Sequence, residues 1–209
     1  MVSSFSRSDL TAILPEILLL ILIGIVLVVD AFKNKEKSNN LIGWITLSGL
    51  VLIILFNLLF FSPGNEAQTA WGGMIRVDSA VFIFQILILI GASITILFSM
   101  DHSGIRDRGS YYCMLLLSLI GMSFMASSTN IILLYLAIET TTVPLYVLVG
   151  FMTKDVKSTE GSLKYFLFNA FTSAIMLYGF SLLYGFSGST YYADIMSAIK
   201  AGSLSAGTA

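Results

Sequence analysis

Six apolar runs, each close to the length of a membrane crossing, constrain this chain more than any single motif. They extend approximately from Leu10 to Val29, Leu41 to Phe61, Ser79 to Met100, Tyr111 to Ser127, Asn130 to Phe151 and Ser162 to Phe186. A helix of about 20 apolar residues spans the hydrocarbon core of a bilayer. None of the runs alternates with period two over its length, which argues against barrel strands. In lipid every backbone polar group must bond within its own segment, which enforces helices. The fold class expected is an all-α membrane protein, with a six-helix bundle over residues 1–186. Only 11% of residues are charged, against about 25% in an ordinary soluble domain, so the chain lacks the surface to live in water.

Charge and rare residues exclude several functions. A net charge of −1 excludes a polybasic nucleic-acid binder, and the partner expected instead is the lipid bilayer. The single Cys113 permits no disulfide within the chain. The single His102 sits in a short polar loop with no partners from which to build a metal site. The first run is too long, and too acidic at its start (Asp9, Glu16), for a cleaved signal peptide.

Loop charges set the expected orientation. Lys33, Lys35, Lys37, Arg106, Arg108, Lys154 and Lys157 fall in the first, third and fifth loops, whereas the N-terminus, the even loops and the tail hold Arg7, Arg76 and Lys200. Positive loops stay in the cytoplasm, which puts both termini on the periplasmic side. Ser158 or Thr159, followed by Glu160, is expected to cap the sixth helix, and Asp78 the third. The tail, 187–209, is rich in Gly, Ser and Ala; Tyr191 to Lys200 reads as a short interfacial helix and the last residues as disordered.

Two ionisable residues sit where a lipid-dissolved helix should have none. Glu139 lies roughly 14 Å from one end of its run and 18 Å from the other, too deep to reach water easily. A charge at bilayer depth costs from about 2.5 to more than 10 kcal/mol, so such residues usually face a bundle interior or a wet cavity. Thr140, Thr141 and Thr142 follow it, and Pro144 frees a carbonyl near Thr140, making a polar spot near the midplane. The functional reading is a proton-transfer acid; the bland one is a neutral Glu that only bonds a neighbouring helix. Lys164 lies about 8 Å into its run, from where its stem reaches the interface, so position alone leaves proton transfer and snorkelling evenly matched. The two differ by roughly 10 Å along the membrane normal, which favours coupling through water over a tight ion pair. Asn169 either extends this path or makes a helix–helix hydrogen bond. Glu16 reads as a favourable first-turn acid, Asp30 as interfacial, and Asn57 and Gln85 as polar glue between helices.

The stretches Leu134-Tyr135-Leu136-Ala137-Ile138-Glu139 and Pro144-Leu145-Tyr146-Val147-Leu148-Val149-Gly150-Phe151 resemble the fifth-helix motif of the antiporter-like membrane subunits of respiratory complex I. Ser158-Thr159-Glu160, Leu163-Lys164-Tyr165-Phe166 and Leu177-Tyr178-Gly179-Phe180 resemble the subunit N family in particular, as do Leu14-Pro15-Glu16 and Arg76-Val77-Asp78. The resemblance implies a proton-translocating module of NADH:quinone oxidoreductase in the bacterial inner membrane, with Glu139 and Lys164 on its charged axis. It also implies that NADH, FMN, the iron–sulfur clusters and the quinone belong to partner subunits, with no cofactor in this chain. The partners expected are an antiporter-like neighbour and small membrane subunits. Members of the family carry about twice as many helices, in inverted repeats. The resemblance therefore places the lysine that answers Glu139 beyond Ala209, on helices supplied by a second polypeptide or by the rest of a longer one. The same module serves multisubunit Na+/H+ antiporters and membrane-bound hydrogenases, and a non-catalytic structural fragment is the remaining alternative.

Overall fold

The apolar runs fold as six membrane-length helices, pinned at one end by a small hairpin. The computed structural model describes residues 7–32, 40–60, 68–102, 104–105 and 108–206. In chain order the elements are α1 (Arg7–Ala12), α2 (Leu14–Phe32), α3 (Leu41–Phe60), β1 (Gln68–Ala70), β2 (Ile75–Val77), α4 (Ser79–Met100), α5 (Gly109–Ser127), α6 (Ile131–Val149), α7 (Val156–Ser187) and α8 (Tyr192–Ala206). The six helices from α2 to α7 are long and apolar enough to cross a membrane. Lys33, Lys35, Lys37 and Arg106 lie outside the described residues, as do 207–209, and α8 runs to Ala206, past Lys200, the expected end of the tail helix, after which disorder was expected.

Local chemistry sets the boundaries. The first run breaks between α1 and α2, because Pro15 has no N–H to give to the Thr11 carbonyl one turn back. Asp78 caps α4 as expected, its carboxylate accepting from Val81 N at 2.8 Å. Asn130 caps α6 the same way, accepting from Ile132 N at 2.8 Å. The expected cap of α7 is corrected. Asp155, not Ser158 or Thr159, accepts from Lys157 N at 3.0 Å, and α7 starts at Val156. Asp is as good a cap as Ser, and taking it three residues earlier adds a turn to the helix. Ser158 is thereby freed to bond across to α6 (2.6 Å to the Val149 carbonyl). At the other end Gly188, at φ 70°, takes the left-handed conformation that closes the helix.

α5 is the central helix, more than half buried, packed against α2, α4 and α6. Leu19, Val26, Leu50, Ile96, Tyr112 and Leu116 fill the core between α2, α3, α4 and α5. Asp30, at the end of α2, accepts from Gly109 N at 3.2 Å and so caps α5. α6 crosses α5 where Gly121 sits: a Cβ there would lie 2.6 Å from Thr141 N and 2.8 Å from the Ala137 carbonyl.

The hairpin was not expected from the sequence. β1 and β2 pair antiparallel around a turn whose Trp71, Gly72 and Gly73 all have positive φ. Trp71 reaches back to α1, its backbone N donating to Asp9 Oδ1 and its indole N–H to the Asp9 carbonyl, both at 2.8 Å. Thr129 N donates to the Met74 carbonyl, and Tyr192 N to the Thr129 carbonyl. The hairpin thus ties α1, the α5–α6 turn and the start of α8 into one hydrogen-bonded layer. This layer marks the hairpin end of the bundle.

Candidate functional site: a hydroxyl seam between α6 and α7

α7 meets α6 through a stripe of small polar side chains. Ser158, Ser162, Asn169 and Ser173 fall within an arc of about 60° at 3.6 residues per turn. Ser162 Oγ donates to the Tyr146 carbonyl at 2.9 Å, and Asn169 Nδ2 to the Tyr146 hydroxyl at 2.9 Å. Ser173 Oγ donates to Glu139 Oε1 and stands 3.4 Å from the Tyr135 hydroxyl. The Tyr146 hydroxyl donates to Thr142 Oγ1 at 3.0 Å, and Thr142 Oγ1 lies 3.4 Å from the Glu139 carbonyl. A continuous run of polar groups therefore leads from Asn169 to the backbone of Glu139, and Ser173 closes on its carboxylate. Uncharged partners suit a low-dielectric setting, where each bond is stronger than in water.

Glu139 is the ninth residue of α6 and half-buried, as its depth in the run suggested. Asn169 joins the seam. Pro144 is fully buried inside α6, where it denies a donor to the Thr140 carbonyl. The threonines serve their own helix: Thr140 Oγ1 bonds the Leu136 carbonyl at 2.7 Å and Thr141 Oγ1 the Ala137 carbonyl at 2.8 Å. Thr140 is exposed and takes no part in the seam.

Lys164 is placed elsewhere. It is nine residues before Ser173 on α7, about 180° around the helix and about 13 Å along it. Its side chain is 65% exposed and paired with Glu160 one turn earlier on the same helix. It lies on a helix whose outward surface, with Phe168, Phe171 and Ile175, is bare.

The most deeply buried acid of the described chain is Glu16, which sequence reasoning passed over as a favourable first-turn residue. It is 3% exposed and bonded by Ser123 and Gln85. The missed signal was the coincidence of Glu16, Asn57, Gln85 and Ser123 near the same end of four successive apolar runs. Among the described residues, no group of three or more His, Cys, Asp or Glu could hold a metal ion.

Six helices of crossing length, with a carboxylic acid bonded at mid-span by a serine hydroxyl, have the build of an antiporter-like membrane subunit. Residues 128–208 match the family described as NADH:quinone oxidoreductase/Mrp antiporter, TM. Over 213 aligned residues the chain is 36% identical to the NADH-quinone oxidoreductase subunit N 2 of Symbiobacterium thermophilum, covering 96% of this chain and 41% of that protein. A chain of respiratory complex I from Thermus thermophilus superposes with a TM-score of 0.69 at 26% identity, covering 88% of this chain and 42% of that one. A chain of the membrane-bound sulfane sulfur reductase, an archaeal respiratory membrane complex, shares the fold with a TM-score of 0.71 at 22% identity, covering 88% and 39%. The chain is thus a relative of subunit N of the NADH-quinone oxidoreductases, and it spans about two-fifths of the length of the curated relatives it matches. With six spans and bacterial relatives, it is a multi-pass protein of the bacterial inner membrane.

Proposed function

We propose that the chain forms part of a proton-translocating module of NADH:quinone oxidoreductase, driven by quinone reduction in other subunits. One observation carries the reading. A carboxylic acid stands half-buried at the middle of α6, and the described partner of its carboxylate is the Ser173 hydroxyl, itself beside the Tyr135 hydroxyl, and not a cation. A mid-membrane acid in such a setting marks a proton path. Glu139 is the protonatable group, and Ser173, Tyr146 and Asn169 line its approach. Lys164 acts from the far side of α7, toward helices that the bare face of α7 must meet in the assembled protein. An approaching cation favours the charged carboxylate, which gives the module its coupling between charge and proton. NADH, FMN, iron–sulfur clusters and quinone belong to partner subunits, and this chain performs no redox chemistry. Its neighbours are an antiporter-like subunit, small membrane subunits and a polypeptide segment that covers α7. Both termini face the periplasm, by the charge of the loops.

A second reading moves the same module into a cation antiporter or a membrane-bound hydrogenase. It is favoured by the matched family description, which names both NADH:quinone oxidoreductase and Mrp antiporter. Purification of the chain from its native membrane separates the two. The first reading predicts co-purification with flavin- and cluster-bearing subunits and with quinone reduction by NADH. Co-purification with hydrogenase or cation-antiporter subunits overturns it.

A further inference from the structure

Four helices carry polar side chains at the hairpin end of the bundle, away from Glu139, and three of these residues, Glu16, Gln85 and Ser123, bond one another. Glu16 is in the first turn of α2, Asn57 in the last turn of α3, Gln85 in the second turn of α4 and Ser123 in the last turns of α5. Glu16 is 3% exposed and Asn57 1%. Ser123 Oγ and Gln85 Nε2 both donate to the same carboxylate oxygen, Glu16 Oε1, and Gln85 Nε2 also lies 2.9 Å from Ser123 Oγ. The second oxygen, Oε2, is buried and has no partner; neither has the Asn57 amide, at either of its atoms. A buried polar atom left without a hydrogen bond costs about 1–3 kcal/mol, and a carboxylate more, so this cluster is unfinished as protein alone.

A void lies beside it. Its volume is about 10 Å³, and Pro15, Leu19, Ile53, Gln85, Leu119 and Ser123 line it. That volume is at the threshold for one water molecule, which needs two to four polar partners. Asn57 stands one turn beyond Ile53 on the buried stripe of α3 that also carries Leu50 and Thr46. A metal cation would require several converging oxygens, and among the described buried side chains only Glu16 Oε2 and Asn57 Oδ1 are open.

We propose that this void binds one internal water molecule, which donates to Glu16 Oε2, so that Glu16 is a second, hydrated acid of the bundle. Its second bond goes toward the Asn57 amide, and the ring of Glu16, Gln85, Ser123 and water closes the hairpin end of the four-helix core. Such a water gives an otherwise dry acid a proton-exchange partner.

The test is X-ray radiolytic footprinting of the full chain in lipid nanodiscs. Radiolysis of a bound water oxidises the side chains that touch it, wherever they lie. Leu19 and Leu119 are expected to be oxidised well above Val26 and Ile96, which are fully buried and do not line the void. Ile88→Phe fills the space from the lining and should abolish that labelling; Glu16→Leu removes the anchor and should do the same. Labelling of Leu19 and Leu119 at the level of Val26 in the unaltered chain overturns the proposal, whether or not the variants fold. Labelling that persists in a folded Ile88→Phe protein also overturns it. Labelling suppressed by sodium but not by choline assigns the void to a cation instead, and the water site falls.

Discussion

Lys164 and Glu139 are separated by the body of α7. Glu139 is met by Ser173, whereas Lys164 stands about half a turn around the helix and pairs with Glu160. The acid is therefore bonded from within this chain, and the base faces outward. A direct ion pair between them would require α7 to rotate, at the loss of the polar contacts that Ser158, Ser162, Asn169 and Ser173 make to α6. The proposed division of roles follows: Glu139 exchanges protons inside the seam, and Lys164 communicates with whatever covers α7.

Lys164→Ala should leave the stability of the chain nearly unchanged. An exposed i,i+4 pair is worth at most about 0.5 kcal/mol, and here both partners are more than half exposed. Thermal unfolding in nanodiscs checks this. In the assembled complex the same substitution should sharply reduce proton translocation. A large loss of stability in the isolated chain would show that Lys164 is structural.

Ser173→Ala should cost about 0.5–1.5 kcal/mol, the net worth of a hydrogen bond, because it removes the donor to a half-buried acceptor. Ser173→Thr, which keeps a hydroxyl, should recover most of it. Chemical unfolding midpoints of the two variants are the comparison, and equal midpoints would mean that the hydroxyl is not what holds Glu139.

Gly121→Ala should destabilise by about 1–3 kcal/mol, since the added methyl meets backbone atoms of α6 that cannot step aside. Gly179→Ala is the control: nothing lies within 4 Å of its added carbon. Because Gly121 seats α6 at Ala137 and Thr141, the first variant should also disturb Glu139 between them. Unfolding free energies of the two alanine variants decide the point.

Asp155→Ala should lose about 0.5–2 kcal/mol of helix stability, the usual worth of an N-cap. Hydrogen exchange should accelerate at Lys157, whose amide the Asp155 carboxylate accepts. Protection unchanged at Lys157 would return the helix start to Ser158 or Thr159.

The spans were legible because lipid imposes a length and a composition that sequence displays directly. Glu139 was legible for the same reason, as a carboxylate far from either end of its run. What sequence could not show was rotation. Lys164 and Ser173 share a helix, but only the packing of α7 on α6 tells which of them faces Glu139. The cap of α7 was misplaced because Asp155, Ser158 and Thr159 are all good cap residues, and local preference does not rank three candidates within five positions. The hairpin was missed because its strands are three residues long, and the ties to Asp9, Thr129 and Tyr192 that hold it come from distant parts of the chain. Glu16 was undervalued because a first-turn acid has an ordinary explanation, and its burial against Ser123, 107 residues away, is a tertiary fact.

Proton translocation by the assembled complex carrying Glu139→Gln tests the central claim most directly. Glutamine keeps the size of the side chain and can still accept from Ser173, but it cannot exchange a proton. The account predicts that NADH oxidation continues while fewer protons cross the membrane per electron pair. An unchanged proton-to-electron ratio in a correctly assembled complex would contradict it.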